Sequence, residues 1–156
     1  MAGILALAAA LRECCETLPE SQARVTALRE ALTAGLLQIP HTRLNGDPVR
    51  RVPGTVNVCF EAVEGERLLL MLDRAGICAS SGSACNAGSL DPSHVLLSLG
   101  VPHELARGSL RLSLGEYNTR EEVDYLLSVL PGIVGSLRET SPVWEELQQG
   151  RRAHLC

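Results

Sequence analysis

The most informative absence in this sequence is lysine. The 156-residue chain carries 14 basic residues of the Lys and Arg type, and every one of them is arginine. A Schiff base requires a primary amine that can lose its proton, whereas a guanidinium stays protonated at any working pH. The chain therefore cannot supply a Schiff-base lysine of its own.

Aromatic residues and net positive charge are also scarce. Aromatics make up 3% of the chain, and the formal net charge is −4. Proteins that bind single-stranded nucleic acid use aromatic stacking and basic grooves, and anionic membranes attract basic surfaces. We therefore expect neither nucleic acid nor a membrane as a partner, and we expect the hydrophobic core to be aliphatic.

The spacing of cysteine and histidine gives no metal-binding pattern. None of the 6 cysteines forms a CxxC pair, and the 4 histidines share no ligand spacing, so no metal site is predicted. The apolar segment from Gly3 to Leu11 lacks a basic region before it and is too short to span a bilayer. We expect a cytoplasmic protein without structural disulfides, with Cys156 as a frayed terminal thiol.

Hydrophobic periodicity predicts strands interspersed with helices, which is typical of an α+β fold with helices packed on one side of a sheet. Pro19 is expected to separate two N-terminal helices, and Pro131 to kink a later one. Thr119 and Glu122 form a capping-box pattern. The predicted elements are helices at 3–17, 19–37, 64–75, 91–99 and 120–137, strands at 55–60, 77–79 and 109–114, and a short last helix opened by Ser141-Pro142.

A loop rich in serine and glycine, residues 80–90, contains Cys85. A thiolate must reach its target, and an exposed loop cysteine meets that condition. With five residues on either side, the loop tip could reach on the order of 15 Å from its hinges. The alternative is an ordinary exposed surface cysteine. By contrast, Cys59 and Cys78 are expected to be small core residues, and Cys14 and Cys15 to be packing residues.

The strand at 109–114 alternates leucines with Arg111 and Ser113, which predicts a strand covered on one face. Arg111 is a candidate for binding a carboxylate through two parallel hydrogen bonds, and a strand would fix its orientation. The alternative is a solvent-facing arginine without a ligand. Sequence pattern alone favours the solvent-facing arginine.

Several stretches, in order along essentially the whole chain, resemble the C-terminal part of the cysteine desulfurases, pyridoxal-phosphate enzymes that take sulfur from cysteine and release alanine. They are LNGD at 44–47, PGTVNVCF at 53–60, VEGERLL at 63–69, SSGSAC at 80–85, SLDPSHVL at 89–96, LRLSLGEYNTREEVDYLL at 110–127 and SPVWEEL at 141–147.

The resemblance implies roles for the two candidate residues. Cys85, in SSGSAC, would be the catalytic nucleophile that takes the sulfur of pyridoxal-phosphate-bound L-cysteine as a persulfide and passes it to an acceptor. Arg111 would bind the carboxylate of the substrate. The long loop of small residues would let the persulfide leave the cofactor pocket.

The resemblance also implies a domain organisation. The fold would be the small C-terminal domain of a pyridoxal-phosphate-dependent transferase, with a short, mostly antiparallel sheet. Residues 1–18 would be a leading helix connecting to an absent large domain, which carries the cofactor and its lysine, and residues 19–156 would form the small domain. The complete enzyme would be a homodimer serving iron-sulfur cluster assembly or other sulfur biosynthesis through an acceptor or scaffold protein. The isolated chain is expected to be inactive; the alternative is a non-catalytic persulfide carrier or interaction module.

Overall fold

The computed structural model describes residues 1–82 and 92–156. In this part of the chain it shows a three-stranded antiparallel sheet in the order β1-β2-β3, combined with six helices. The α+β fold class is confirmed. The elements are α1 (Ala2–Leu36), β1 (Thr42–Leu44), β2 (Thr55–Phe60), α2 (Gly65–Arg74), α3 (His94–Ser98), α4 (His103–Ala106), β3 (Ser109–Ser113), α5 (Arg120–Glu139) and α6 (Pro142–Gln148).

The N-terminal helix differs from the sequence prediction. Residues 2–36 form one continuous helix with Pro19 inside it, so the predicted break at Pro19 is wrong. Proline removes one backbone hydrogen bond, here the one to the carbonyl of Cys15. Because α1 is exposed along residues 2–20, water can bond the freed carbonyl, and the helix continues.

The main core lies between one face of the sheet and the long helices α1, α2 and α5. Alternate residues of the strands supply the sheet side of this core, because successive side chains of a strand point to opposite faces. Helix α5 begins at the predicted capping box of Thr119 and Glu122 and remains one helix through Pro131. The fully buried side chains in this core are Leu32, Leu36, Val56, Val58, Phe60, Leu68, Leu72, Leu110, Leu130 and Val134.

The short helices α3 and α4 form a second, smaller apolar cluster. Leu96, Val101, Leu105 and Ala106 pack there with Cys59. Cys59 lies between Val58 and Phe60 in β2, so it points away from the main core. The large helices therefore pack on one face as predicted, and the short helices also cover the end of the opposite face.

Two helices end at a glycine in the left-handed conformation. Gly76 and Gly100 both have a φ of +75° at the end of a helix, the left-handed conformation that glycine adopts without a Cβ clash.

Residues 77–79 do not form the predicted strand; only Ser80 makes a β-bridge, to Arg111. None of the helices in residues 1–82 and 92–156 combines the length and apolar composition needed to cross a membrane.

Candidate functional site

The face of the sheet opposite the main core is polar, and we call it the polar face. It follows from the strand register, which places Arg43 opposite Cys59, and Asn57 opposite Arg111. Side chains of paired residues point to the same side of an antiparallel sheet. The polar face consists of Arg43, Thr55, Asn57, Cys59, Ser109, Arg111 and Ser113.

Arg111 lies in the middle of β3 with its side chain exposed. Its neighbours Leu110 and Leu112 are buried in the main core, which confirms the prediction of a strand covered on one face. The ion pairs formed among residues 1–82 and 92–156 do not involve Arg111. Its backbone is fixed by strand pairing, and its side chain lies on the exposed side of the strand.

The chain that leads to Cys85 is attached to the same strand. Ser80 donates its backbone N–H to the carbonyl oxygen of Arg111 at 3.1 Å, and the Arg111 N–H donates back to Ser80. One residue further, the Ser109 hydroxyl donates to the carbonyl oxygen of Ser81 at 2.6 Å. Residues 80 and 81 therefore run along the free edge of β3, directly beside Arg111.

Gly65, at the start of α2, allows this attachment to be close. A Cβ at this position would lie 2.9 Å from the carbonyl oxygen of Arg107 and 3.3 Å from the Cβ of Ser81. The Gly65 N–H donates to that Arg107 oxygen at 2.9 Å. The glycine of the VEGER stretch thus lets the end of a helix approach both β3 and the segment that precedes Cys85.

Cys85 itself lies outside the described residues, as do residues 83–91 of the predicted loop and helix start. The predicted roles of Cys85 and of the 80–90 loop therefore stay predictions. What the structure gives is the position of the attachment at residues 80–82 and the return of the chain at Pro92, before α3.

A hydrogen-bonded group occupies the polar face next to Arg111. The Asn45 side-chain amide donates to the Asn57 Oδ1 at 2.6 Å and contacts the Cys59 sulfur at 3.1 Å. Asn45 is 6% exposed, and its own Oδ1 has no hydrogen-bond partner among the described residues. Burial raises the pKa of the Cys59 thiol, so this cysteine is neutral and unreactive at pH 7.

The exposure of the described cysteines agrees only in part with the sequence prediction. Cys59 is buried, as predicted. Cys78 is exposed, so its assignment to the core is wrong; it follows α2 in an irregular segment rather than in a strand between two packed layers. Cys14 and Cys15 are also exposed, like the rest of residues 2–20 of α1, so they are not packed against the described residues as predicted.

A second polar group, missed by the sequence analysis, surrounds Glu61 at the end of β2. We call His41, Glu61 and His154 the Glu61 cluster. Glu61 is only 3% exposed, and its Oε2 lies 2.7 Å from the His154 Nδ1 and 3.4 Å from the His41 Nδ1. The Leu155 N–H also donates to Glu61, at 2.5 Å, so the chain is held up to residue 155, and the exposed Cys156 follows it.

Arg138 of α5 forms hydrogen bonds to the backbone of two residues of this cluster. Its Nε donates to the carbonyl oxygen of Glu61 and one of its terminal nitrogens donates to that of His41, both at 3.1 Å. The guanidinium also stacks over Trp144 at 4.5 Å from the ring centroid, a favourable cation–π contact. No sequence spacing could have revealed the Glu61 cluster, because its three members come from three separate segments.

A cavity of about 300 Å³ adjoins the cluster. Its lining mixes both signs of charge with apolar side chains, including Arg67, Glu104, Leu137 and Leu155. The lining includes no residue of the polar face, so this cavity does not lie beside Arg111.

The fold and the polar face define a class of protein that comparison with known families identifies. The family model described as "Aminotransferase class-V" matches residues 1–126, and the chain belongs to this family. It is 51% identical over 153 residues to the cysteine desulfurase IscS of Clostridium botulinum, covering 96% of this chain and 38% of that protein.

Two other cysteine desulfurases match most of the chain. The chain is 53% identical over 141 residues to the cysteine desulfurase IscS of Methanosarcina thermophila and 44% identical over 144 residues to the cysteine desulfurase NifS of Azotobacter vinelandii. These alignments cover 90% and 92% of this chain but 35% and 36% of the relatives. The chain thus spans little more than a third of the curated relatives it matches.

Solved structures show the same partial match. A NifS-like protein aligns with a TM-score of 0.67 and 31% identity over 78% of this chain and 30% of its own. The NifS-like protein from Rickettsia africae aligns with a TM-score of 0.70 and 29% identity, over 83% of this chain and 32% of its own. The predicted relation to this fold is confirmed.

Proposed function

We propose that this chain is the small-domain portion of a cysteine desulfurase, in which Arg111 binds the carboxylate of L-cysteine and Cys85 accepts its sulfur. The observation that carries the proposal is the position of Arg111. Its exposed guanidinium lies on a rigid strand, and the backbone of that strand bonds Ser80, five residues before Cys85. The names of the relatives support the same activity.

Arg111 suits a carboxylate for physical reasons. A guanidinium can donate two parallel hydrogen bonds to the two oxygens of a carboxylate, and such charge-assisted bonds are among the strongest in proteins. The buried leucines on either side of Arg111 hold its backbone in place, so little motion is lost when a ligand binds. An amino acid held in this way presents the rest of its side chain in a fixed direction.

Cys85 is close enough along the chain to Ser80, the bridge partner of Arg111, to reach a ligand bound by Arg111. Cys85 is the third residue after Gly82, and an extended chain spans that interval in at most roughly 10 Å. The net reaction we propose is that the Cys85 thiol and L-cysteine give the Cys85 persulfide and L-alanine. The carbon–sulfur bond of the substrate breaks and a sulfur–sulfur bond forms, and the sum is balanced without an external oxidant or reductant.

The residues of this chain do not fit pyridoxal phosphate as a resident cofactor. The cofactor is held as a Schiff base by a primary amine, and the sequence contains no lysine. In the proposed enzyme, the cofactor and its lysine belong to a large domain that this chain does not contain. We therefore propose that the chain alone does not turn over.

The N-terminal half of α1 supports the need for such a partner. Ile4, Leu7 and Leu11 recur along one face of the helix and are between 61% and 70% exposed. A row of exposed apolar side chains is costly in water and is typical of a surface that another domain covers. We propose that the large domain covers this row.

The wider assignments follow from the same proposal. The complete enzyme would act as a homodimer in the cytoplasm, and its persulfide would pass to an acceptor or scaffold protein for iron-sulfur cluster assembly or other sulfur biosynthesis. The IscS and NifS names of the relatives support this use of the sulfur. None of the described residues identifies the acceptor.

The experiment measures alanine released from L-cysteine. The chain is assayed alone with pyridoxal phosphate, and then together with the lysine-bearing portion of a relative such as the Clostridium botulinum IscS. We expect alanine only in the mixture, and we expect Cys85→Ser to reduce it to the level of the lysine-bearing portion alone. Cys78→Ser is the matched control, because this exposed thiol precedes the same attachment at Ser80.

Either of two results would contradict the proposal. Alanine formed by the chain alone would show that a lysine-bearing part is not needed. Equal loss in Cys78→Ser and Cys85→Ser would remove the special role of Cys85. If neither the chain nor the mixture forms alanine, the absence of lysine favours the alternative function, a persulfide carrier without turnover.

A further inference from the structure

The Glu61 cluster brings together three metal-binding side chains that the proposed function does not use. His41 lies before β1, Glu61 follows β2 and His154 belongs to the C-terminal segment. The pairing of Thr42 with Phe60 places the first two side by side, and the Glu61 N–H donates to the His41 carbonyl oxygen at 3.1 Å. The C-terminal segment supplies the third.

The ligand atoms face one another. The Nδ1 atoms of both histidines point at the same carboxylate oxygen, Oε2 of Glu61, at 2.7 Å for His154 and 3.4 Å for His41. One nitrogen or oxygen from each of the three residues lies within 4.8 Å of the others. Two imidazoles and one carboxylate are a ligand set that zinc and similar divalent transition metals bind.

Outer contacts already orient two of the three ligands. The second carboxylate oxygen of Glu61 accepts the Leu155 N–H, which fixes the plane of the carboxylate. The His41 ring packs against the edge of Trp144 at 5.3 Å between centroids, and its backbone oxygen is bonded by Arg138. Outer contacts of this kind hold metal ligands in position.

Two features oppose metal binding and set its expected strength. The imidazole rings stack at 3.9 Å and 19°, so their nitrogen lone pairs run side by side, and a shared ion requires the His154 ring to turn. The His154 side chain is 38% exposed and belongs to the terminal segment, which allows that turn. The charge of Arg138 also repels a cation, although Glu61 offsets it.

We propose that His41, Glu61 and His154 bind one divalent transition-metal ion of the zinc class, with water completing its coordination. The ion would join the C-terminal segment to the end of β2. Binding would be weaker than at a closed four-ligand site, because one ring must turn and a guanidinium lies nearby. The proposal does not depend on the desulfurase activity.

The test is a titration of the full-length chain with Co²⁺, which absorbs visible light when bound by protein ligands and which Zn²⁺ displaces. Cys14→Ser and Cys15→Ser are present throughout, because two adjacent exposed thiols bind the same metals. We expect one Co²⁺ per chain, no sulfur-to-cobalt band in the near ultraviolet, and loss of the visible band when Zn²⁺ is added.

Matched histidine variants locate the ion. His154→Gln and His41→Gln should each weaken binding at least tenfold, whereas His94→Gln, a change in an exposed helix residue, should leave it unchanged. His154→Gln lies in the terminal segment, so it tests the site without disturbing the core. Far-ultraviolet circular dichroism checks that each variant folds.

Several results would overturn the proposal. Absence of visible Co²⁺ absorption would show that the group is a hydrogen-bonded cluster only. A strong sulfur-to-cobalt band would show that thiolates bind the metal instead. Equal affinity in His154→Gln and the parent protein would place the ion elsewhere in the chain.

Discussion

Arg111 in β3 and Arg138 in α5 have opposite surroundings. Arg111 is exposed on the polar face and makes no ion pair with the described residues. Arg138 is 6% exposed, donates to two backbone carbonyl oxygens and stacks on Trp144. Arg138 uses its donors within the chain, whereas the guanidinium of Arg111 forms no ion pair with the described residues.

The regions around the two arginines differ in the same way. The Glu61 cluster binds the C-terminal segment of its own chain through His154 and Leu155. The polar face presents an arginine in a rigid strand and leads directly to the segment that contains Cys85. A closed network of this kind contributes to stability, and an open, pre-oriented cation is typical of a binding site.

The largest effect on stability should follow Arg138→Met. This change leaves the buried carbonyl oxygen of Glu61 without its donor, removes one of the two donors to that of His41, and removes the stacking on Trp144. We expect the free energy of unfolding to fall by about 3 kcal/mol, because a buried unsatisfied group costs about 1–3 kcal/mol and a desolvated cation–π contact contributes up to about 2 kcal/mol. Urea unfolding measures this loss. Arg74→Met, a change at an exposed arginine, should alter stability by less than about 0.5 kcal/mol. Equal losses of stability in Arg138→Met and Arg74→Met would show that the contacts of Arg138 do not stabilise the fold.

Arg111→Met should leave stability almost unchanged and reduce activity. We expect stability to change by less than about 0.5 kcal/mol, since the exposed guanidinium forms no ion pair with the described residues. In the complete enzyme, we expect kcat/KM for L-cysteine to fall about 30-fold, which corresponds to the roughly 2 kcal/mol of a charge-assisted contact. Steady-state kinetics on the mixture with the lysine-bearing portion measures it. A variant with unchanged kinetics would remove Arg111 from the site.

A smaller effect should follow Asn57→Ala on the polar face. The change removes the acceptor of the 2.6 Å hydrogen bond from Asn45 and leaves a buried amide with only the sulfur of Cys59. We expect a loss of about 1 kcal/mol in the free energy of unfolding. Ser113→Ala is the control, because Ser113 is exposed on the same face. A loss as small as that of the control would show that the amide pair does not stabilise the polar face.

The smallest effect should be a pH dependence at alkaline pH. Burial raises the pKa of the Cys59 thiol above its ordinary value of 9.0, so the unfolded chain loses this proton first. The folded state then binds more protons, and stability should fall as the pH rises above 9.0. Denaturant unfolding at several pH values measures the slope. Cys59→Ala should reduce the slope and Cys78→Ala should not; equal slopes in Cys59→Ala and the parent would contradict this.

Local patterns predicted most of the regular structure. The strand at residues 55–60 and the capping box at Thr119 were predictable because alternation and capping depend on neighbouring residues. The continuous helix through Pro19 was not, because the outcome depends on the solvent exposure of the freed carbonyl. Strand β1 has only three residues, too few for a pattern, and forms because β2 pairs with it.

The candidate site was predictable only in part. Arg111 stood out because it alternates with leucines along one strand, and its exposure follows from that alternation. The Glu61 cluster gave no signal, because His41 and His154 lie 113 positions apart and meet only through the fold. Burial of a single glutamate cannot be read from its neighbours in sequence.

The most direct test of the account is where sulfur appears after reaction with L-cysteine. The chain, mixed with the lysine-bearing portion and pyridoxal phosphate, is alkylated, digested and analysed by mass spectrometry. We predict one additional sulfur atom on the peptide containing Cys85, and none when the lysine-bearing portion is omitted. Release of alanine without an additional sulfur on Cys85, or sulfur on Cys85 when the chain reacts alone, would contradict the account.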